Sequence, residues 1–381
     1  MTWTRAAGLF VVLVLVSLTA MPRAEQPAPM PPVPDTEIIH AFPSVDAMKT
    51  AWKVRYATSS GYGLTIQDAW FKRSPQEPWM QVLGDARLAE MFVPYHSGSP
   101  RFWDVSYNFS LITLNKEAAG PNGQLLGKTP TVAKEVLDRG IMWIDTATGV
   151  QRGQVMKLWG CLDAANYRYV IEYGFQDDGV ITFRVGSTGR NYSTREFEGH
   201  MHNGLWRVDV NLDGSKNSVW AMDHIETKAE PGKTKTIARP FNKGVEGFED
   251  FHADKFTMVN VTAEKRKNIR KMPVSYDVVT ARMGNARHFG EKEECTHHDF
   301  WVTVNRKDQL YYPKVNEYVR KGEKIMNADV VLWLSTACHH EPRSEDGRFV
   351  KDDFRGSTPI AWSGFELRPR NLFDGTPHYP Y

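Results

Sequence analysis

Cysteine and net charge are both scarce in this sequence. Its 381 residues contain three cysteines, Cys161, Cys295 and Cys338, and carry a formal net charge of only +2 at pH 7. Three cysteines permit one disulfide and leave one thiol over, which excludes a disulfide scaffold for so long a chain. A charge this small, without a long run of Lys and Arg, argues against nucleic acid or an anionic membrane surface as a partner.

Several motifs that identify common enzyme classes are missing. The sequence has no HExxH, no GxSxG, no Walker phosphate-binding loop and no GxGxxG opening a helix. A zincin, a hydrolase and a nucleotide-binding protein therefore each lack the motif on which their chemistry depends.

The only long apolar run lies at the N-terminus. A short basic segment, MTWTR, precedes an apolar and small-residue run from Ala6 to Ala20. This run is shorter than the roughly 20 residues of a membrane-spanning helix. The pattern predicts a signal peptide over residues 1–20 and export to a periplasm or to the outside, with no other membrane contact. The MPR segment that follows is a poor match to a signal-peptidase cleavage site. An uncleaved segment that anchors the protein to the membrane therefore stays an alternative.

The rest of the chain has the pattern of one large β domain over residues 50–381, after a Pro-rich linker and lead-in segment over 21–49. Short runs rich in Val, Ile, Trp, Tyr and Phe alternate with Gly, Asn and Asp turns. YRYVIEYGF and VITFRVG predict one β-hairpin, and HNGLWRVDVNLDG with SKNSVWAMDHI predicts another. The apolar run ADVVLWLSTA predicts a buried central strand. We therefore predict a mainly β fold, a large antiparallel β-sandwich.

Histidines give the clearest sign of chemistry. His200 and His202 are two residues apart in GHMHNGLW, so on a strand both imidazoles leave the same face and can bind one ion. Without a third ligand, an ordinary structural role is favoured for this pair. The clusters THHD and CHHEP compete to supply that ligand, and CHHEP has the better setting because it follows the buried strand. Only one of His339 and His340 should face the site, and imidazoles suit copper or zinc.

Five segments, taken in their order along the chain, resemble the catalytic domain of copper-containing, quinone-dependent amine oxidases. They are AWKVRYATSSGYGLTIQDAWF with ARLAEMFVPY, ANYRY, HMHNGLWRVDVNLDGSKNSV, ADVVLWLSTACHHEPRSED and WSGFELRPRNLFDGTP. ANYRY stands where the family has Asn-Tyr followed by a carboxylate. The resemblance implies a fold of the amine oxidase catalytic-domain type over residues 50–381.

The resemblance also implies a metal and a cofactor. Copper(II) would be bound by His200, His202 and His340. Tyr167 would be the precursor of topaquinone and the residue at which the substrate amine forms a Schiff base, with Asn166 orienting the ring. On residue pattern alone, the ordinary structural role is favoured, with Tyr167 as one member of a strand's aromatic face.

Further residues receive roles from the same resemblance. Tyr95 would hydrogen-bond the quinone, Phe102 would form the gate of the substrate channel, and Asp104 would be the general base. Burial beside aromatic side chains should raise the pKa of Asp104 toward the working pH. From the pattern alone, Asp104 could be a turn carboxylate. A calcium site is also implied, with oxygen ligands from Asp209, Val210, Asn211 and Asp329.

The implied activity is oxidative deamination of small primary amines by oxygen, giving aldehyde, ammonia and hydrogen peroxide, and the implied assembly is a homodimer. Arg168 stands where the family has a carboxylate. Strand alternation places Arg168 on the face opposite Tyr167, so we predict that Tyr167 is oxidised despite it. The alternatives are a secreted copper-binding β-sandwich that no longer forms the quinone, and a zinc hydrolase that uses the same three histidines.

Overall fold

The computed structural model describes residues 36–380, apart from 108, 229, 253, 256, 282–286, 289, 291–292, 311–314 and 351–352. The predicted signal peptide and most of the Pro-rich linker lie outside the described residues. Within the described ranges, no helix has the length and apolar character needed to cross a membrane.

The described residues form 22 strands and a few short helices. The first eleven strands are β1 (Thr36–Phe42), β2 (Thr50–Ser59), β3 (Gly63–Lys72), β4 (Met80–Pro94), β5 (Arg101–Trp103), β6 (Ser110–Leu111), β7 (Gln124–Leu126), β8 (Val132–Asp145), β9 (Gly149–Ala164), β10 (Tyr167–Gln176) and β11 (Ile181–Gly189). The others are β12 (His200–Val210), β13 (Asn217–Thr227), β14 (Glu230–Pro240), β15 (Gly247–Glu249), β16 (Met258–Lys267), β17 (Pro273–Ala281), β18 (Phe300–Val304), β19 (Val330–His340), β20 (Arg348–Val350), β21 (Asp353–Arg355) and β22 (Ala361–Arg370). The helices are α1 (Lys116–Ala119), α2 (Val315–Tyr318) and the 3-10 turns Ser193–Arg195, Phe241–Gly244, Glu294–Thr296 and Val319–Lys321.

Two large antiparallel sheets contain almost all of these strands, which confirms the predicted β-sandwich. The nine-stranded first sheet has the order β1-β2-β3-β4-β12-β19-β18-β15, with β5 beside β4. The eleven-stranded second sheet has the order β14-β13-β16-β17-β22-β11-β10-β9-β8-β7, with β6 beside β9. Strands β20 and β21 form a separate two-stranded ribbon.

Aromatic side chains from both sheets fill the space between them. Strand β10 turns Tyr167, Tyr169, Ile171 and Tyr173 inward, and all four are buried. The ring of Tyr173 meets that of Trp206 on β12 with 5.8 Å between centroids. Full burial of each such side chain contributes about 1.5–3 kcal/mol, so the aromatic face of β10 anchors the second sheet on the first.

One predicted hairpin is confirmed and the other is wrong. Strands β10 and β11 pair residue by residue, as predicted. Strand β12 does not pair with β13, because β4 and β19 occupy its two edges in the first sheet. Strand β13 instead pairs with β14 and β16 in the second sheet. Buried Asn217 holds the crossing segment, since its Oδ1 accepts from the Leu212 N–H at 3.3 Å and its Nδ2 donates to the Val210 carbonyl at 3.1 Å.

The run ADVVLWLSTA forms the buried central strand that the sequence predicts. Its strand, β19, is buried between β12 and β18 in the first sheet.

The three cysteines do not form the disulfide that the sequence permits. Cys161, Cys295 and Cys338 are all buried free thiols.

Candidate active site

The ends of β12 and β19 bring three histidines together. His200 and His340 are directly paired across the two strands, and His202 leaves the same face of β12 two residues further on. The Nε2 atoms of His200 and His202 are 3.0 Å apart. One ring nitrogen from each of the three buried side chains lies within 4.8 Å of the others. The THHD cluster is used elsewhere, since His298 contacts Asp250 at 3.2 Å and stacks on Phe248.

The donor set suits a bound transition metal. Two imidazole nitrogens that each lie about 2.0–2.1 Å from one ion are about 2.8–4 Å apart, depending on the angle at the metal. The 3.0 Å between the two Nε2 atoms falls in that range. Burial, with a smaller effect of His340, lowers the pKa of His200 to about 3. Burial, followed by His200, lowers the pKa of His202 well below its ordinary value. Both rings are therefore neutral near pH 7 and have a free lone pair.

Two hydrogen bonds leave one ring nitrogen each of His202 and His340 directed to the centre of the histidine cluster. Asp346 Oδ2 lies 2.9 Å from His340 Nε2 and can accept its proton, which leaves the Nδ1 lone pair for the centre of the cluster. The Tyr169 hydroxyl lies 3.3 Å from His202 Nδ1 and can accept from it in the same way. Carboxylate and hydroxyl partners of this kind fix the tautomer and orientation of ligating histidines.

Tyr167 is the first residue of β10 and reaches the histidines from the opposite sheet. Its hydroxyl lies 2.8 Å from His340 Nδ1 and 3.2 Å from Asn191 Oδ1. Its ring centroid lies 4.6 Å from that of His202. Burial is the main reason that the pKa of Tyr167 is far above its usual value, and the neighbouring Tyr95 and Asp346 add to the effect. In this environment, the phenol stays protonated unless a cation lies beside it.

The turn before Tyr167 fixes where the strand begins. Ala164 pairs with Tyr167, so Ala165 and Asn166 form a two-residue turn between β9 and β10. Ala165 has φ 61°, in the left-handed region that favours glycine. The Asn166 side chain donates to the Arg190 carbonyl at 2.9 Å, and the Arg190 N–H donates back to the Asn166 carbonyl at the same distance.

Arg168 points away from the histidines. Its guanidinium donates to the Ala165 carbonyl at 2.6 Å and pairs with Asp163 at 3.0 Å, and the side chain is 37% exposed. The positive charge that replaces the expected carboxylate therefore lies on the outer surface of the hairpin.

A cavity of about 250 Å³ opens beside Tyr167. All five residues that the sequence placed around the cofactor and substrate line it: Tyr95, Phe102, Asp104, Asn166 and Tyr167. The remaining lining is mostly apolar and aromatic and includes Tyr107, Phe109 and Tyr192.

Asp104 is the buried carboxylate of this cavity. Burial raises its pKa to about 7, although a hydrogen bond from the Tyr169 hydroxyl acts in the opposite direction. Glu90 holds the segment after Asp104, because its Oε1 accepts from the backbone N–H of Val105 at 2.9 Å. The Asp104 N–H donates to the Met91 carbonyl at 2.9 Å. The position of Asp104 is therefore tied to the first sheet through backbone hydrogen bonds.

Tyr95 and Phe102 form the wall of the cavity nearest His200. The Tyr95 ring stacks on His200 with 4.4 Å between centroids, and its hydroxyl accepts from the Tyr192 N–H at 2.8 Å. Phe102 packs against Tyr192 with 5.6 Å between centroids.

The model of one protein family, described as the copper amine oxidase enzyme domain, matches residues 133–380. The chain belongs to the copper amine oxidase family. The family assignment confirms the resemblance seen in the sequence, and the matched residues contain the histidine cluster and Tyr167.

Individual relatives are distant members of the same family. The primary amine oxidase of Klebsiella aerogenes is 24% identical over 374 residues, which cover 84% of this chain and 45% of that protein. The histamine oxidase of Arthrobacter globiformis is 23% identical over 393 residues, covering 86% of this chain and 55% of that protein. This chain thus spans about half the length of these copper amine oxidases.

Solved structures of the family share the fold. A copper-containing benzylamine oxidase from Hansenula polymorpha superposes with a TM-score of 0.69 at 20% identity, covering 86% of this chain and 60% of that one. An amine oxidase from Aspergillus nidulans gives 0.71 at 16% identity, covering 98% of this chain and 56% of that one.

Three of the four residues suggested as calcium ligands carry a buried side-chain oxygen atom. Asp209 Oδ1, Asn211 Oδ1 and Asp329 Oδ1 are all buried without a hydrogen-bond donor among the described residues. Burial, then the charge of Asp329, raises the pKa of Asp209 to about 7. Gly84 leaves room beside them, because a Cβ there would lie 2.2 Å from Asn211 Nδ2 and 2.7 Å from Asp209 Oδ2.

Sequence reasoning missed four residues that position the others: Glu90, Tyr169, Asn191 and Asp346. Tyr169 could have been found, because strand alternation places it on the face of Tyr167. Asp346 stands six residues after His340, and its approach to Nε2 depends on a turn that the sequence does not reveal. Glu90 and Asn191 act through contacts over 15 and 24 residues, for which the sequence has no local signal.

Proposed function

We propose that this chain is an exported primary-amine oxidase that depends on copper and on a quinone made from Tyr167. It would convert primary amines to aldehyde, ammonia and hydrogen peroxide, with oxygen as the acceptor. The observation that carries the proposal is the Tyr167 hydroxyl, 2.8 Å from His340 Nδ1 at the wall of a cavity that also contains Asp104. Membership of the copper amine oxidase family supports it.

The copper ligands would be Nε2 of His200, Nε2 of His202 and Nδ1 of His340. The neutral state of His200 and His202, the spacing of their Nε2 atoms, and the hydrogen bonds of His202 to Tyr169 and of His340 to Asp346 support this assignment. When bound, copper would supply the redox centre that lets oxygen convert Tyr167 to topaquinone, and the quinone would supply an electrophilic carbonyl for the amine. The chain's own contribution is to hold the ligands in place and keep their inward nitrogens unprotonated.

Tyr167 is held ready for this chemistry by two acceptors. His340 Nδ1 and Asn191 Oδ1 both lie within hydrogen-bonding distance of its hydroxyl. Once a cation occupies the inward lone pair of His340, Asn191 is the acceptor that can still orient the phenol. Asn166 would fix the turn from which the ring projects, through its hydrogen bonds with Arg190.

Asp104 would remove the proton from the substrate carbon. A carboxylate with a pKa of about 7 exchanges protons readily near neutral pH, which suits general-base catalysis. The cavity wall formed by Tyr95, Phe102 and Tyr192 would surround the apolar part of a small amine and exclude water from Asp104. Phe102 would act as the gate, because it packs on partly exposed Tyr192 at this wall.

Arg168 would not prevent quinone formation. Its contacts with Asp163 and the Ala165 carbonyl support this view, since they keep the guanidinium outside the cavity. Arg168→Asp and the unaltered chain should therefore reach similar quinone content after copper loading in air. A requirement for Arg168→Asp before any quinone forms would contradict the proposal.

The deciding experiment is the intact mass of the protein after loading with copper in air. The mass should rise by about 30 Da, two oxygen atoms gained less two hydrogens, and phenylhydrazine should give a coloured adduct. Tyr167→Phe should bind copper and show neither change, whereas His202→Ala should fail at the metal-binding step. An unchanged mass in copper-loaded wild-type protein would leave a copper-binding β-sandwich without the quinone.

A calcium ion is proposed for the separate oxygen cluster. Asp209, Asn211 and Asp329 would contribute side-chain oxygens and Val210 its carbonyl, which is the hard donor set that calcium prefers. The three buried oxygens without donors support it. Calcium should raise the melting temperature of the wild type and not of Asp329→Ala. An equal effect on both proteins would reject the site.

A further inference from the structure

We infer that this protein has a second transition-metal site on its surface, formed by His96, His339 and Glu341. The three side chains each offer one ligand atom, and these atoms lie within 4.8 Å of one another. All three residues are exposed, unlike the buried histidine cluster. The proposed ion is a divalent late transition metal such as zinc or copper(II), because the ligands are two imidazoles and one carboxylate.

Strand geometry creates this cluster on the opposite face from the buried one. His340 faces the interior at the end of β19, so His339 immediately before it faces solvent. On a neighbouring segment, Tyr95 forms a bridge with His200 and its ring stacks on that histidine inside. His96, the next residue, therefore emerges on the outside, and its N–H donates to the Gly199 carbonyl at 3.1 Å.

The two donor-atom distances that include His339 fit one ion, and in the third pair His96 Nδ1 lies 4.0 Å from Glu341 Oε1. The Nε2 atoms of His96 and His339 are 3.2 Å apart, and Glu341 Oε1 is 3.1 Å from His339 Nε2. Both values lie in the range of about 2.8–4 Å expected for ligands of a single metal. The two rings are nearly parallel, at 24°, with 4.9 Å between centroids. Because both are partly exposed, a rotation about χ2 can direct the two lone pairs to one point.

Gly199 makes room for the carboxylate. A Cβ at this position would lie 2.9 Å from Glu341 Oε1 and 2.8 Å from Oε2, closer than real Cβ contacts. The missing side chain lets Glu341 lie across the end of β12, toward the two histidines. Three chain segments form this arrangement: His96 after β4, Gly199 before β12, and His339 with Glu341 at the end of β19. It is therefore more than a chance pair of neighbouring surface residues.

An ion at this site would join the segment after β4 to the end of β19. The first of these leads from Tyr95 to Asp104, and the second contains His340. The inference concerns a different set of ligands from the proposed copper centre and does not depend on amine oxidase activity. It therefore predicts metal binding that persists when the buried histidines are removed.

The test is metal stoichiometry of the full chain, measured by elemental analysis after equilibrium dialysis against a weak chelator. Protein loaded with a single molar equivalent of copper, which the buried three-histidine site takes first, should take up one equivalent of zinc at the surface site. His96→Gln and Glu341→Gln should lose that equivalent and keep the copper, whereas His224→Ala, a matched exposed histidine, should keep both. His200→Ala, tested with zinc alone, should still bind one equivalent of zinc. These outcomes separate failure of the surface site from failure of the buried one.

Thermal unfolding gives a second readout for folded variants. Zinc should raise the melting temperature of copper-loaded wild type and of His224→Ala by a few degrees, because it binds only the folded state. It should have no such effect on His96→Gln, which lies outside β19 and leaves His339 and His340 in place. Uptake of no zinc by the wild type, or equal uptake by His96→Gln, would overturn the inference.

Discussion

The hydroxyl oxygen of Tyr167 lies 2.8 Å from Nδ1 of His340, although the two residues are 173 positions apart in the chain. Tyr167 belongs to the second sheet and His340 to the first. The contact is therefore made across the interior of the sandwich, where packing fixes both partners. A phenol held beside the inward nitrogen of this histidine cluster would be both a neighbour of the proposed copper ion and a target of its chemistry.

Loss of the cavity carboxylate should separate catalysis from cofactor formation. Asp104→Asn should lower amine turnover by about 100- to 10,000-fold, the usual contribution of a general base. Its quinone content should stay near that of the wild type, because Asp104 bonds Tyr169 and supplies no ligand atom to the three-histidine cluster. Steady-state peroxide production and phenylhydrazine titration would measure the two effects, with exposed Asp46→Asn as the control. Unchanged turnover would remove Asp104 from the mechanism.

Amine turnover should increase with pH through the titration of Asp104. Only the ionised carboxylate can accept a proton, and its pKa of about 7 means that the ionised fraction increases across neutral pH. Tyr169→Phe removes the hydrogen bond that favours ionisation, so its pH–rate profile should shift to higher pH. Single-turnover reduction of the quinone at a series of pH values would show this. A shift to lower pH would contradict the assigned hydrogen bond.

The carboxylate behind His340 should control metal affinity. Asp346→Ala leaves His340 Nε2 without its partner at 2.9 Å, so the ring can rotate or change tautomer. Loss of such a partner typically lowers metal affinity by about 10- to 100-fold. Copper competition with a chelator would measure the change, with exposed Asp353→Ala as the matched control. Equal affinities in the two variants would show that Asp346 has no positioning role.

The turn before Tyr167 should be a source of backbone strain. Ala165 has φ 61°, which costs a non-glycine residue about 1–2 kcal/mol. Ala165→Gly should therefore stabilise the fold by about 0.5–1 kcal/mol, after the extra entropy of glycine in the unfolded chain is subtracted. Ala164→Gly, one residue earlier and inside β9, should destabilise it by about 0.5–1 kcal/mol. Urea unfolding of both variants measures the difference, and effects of the same sign would contradict this account.

The amino-acid sequence was enough to predict those elements whose signals lie within a short stretch of chain. The alternation of Tyr167, Tyr169, Ile171 and Tyr173 predicted the buried face of β10, and the QDDG turn predicted its pairing with β11. The second hairpin failed because a turn pattern between β12 and β13 does not tell which strands occupy the edges of β12. Those edges are taken by β4 and β19, which are distant in the chain.

By itself, the sequence determined the candidate site residues: two histidines on one strand face, a further histidine after a buried strand, and a tyrosine at the start of another. These depend on residue chemistry and on the two-residue repeat of a strand. Only the tertiary structure decided that Asp346 lies behind His340, that Tyr169 joins Asp104 to His202, and that His96 meets His339 on the outer surface. Each of these contacts depends on the register between strands and on the packing of one sheet against the other, which no local pattern specifies.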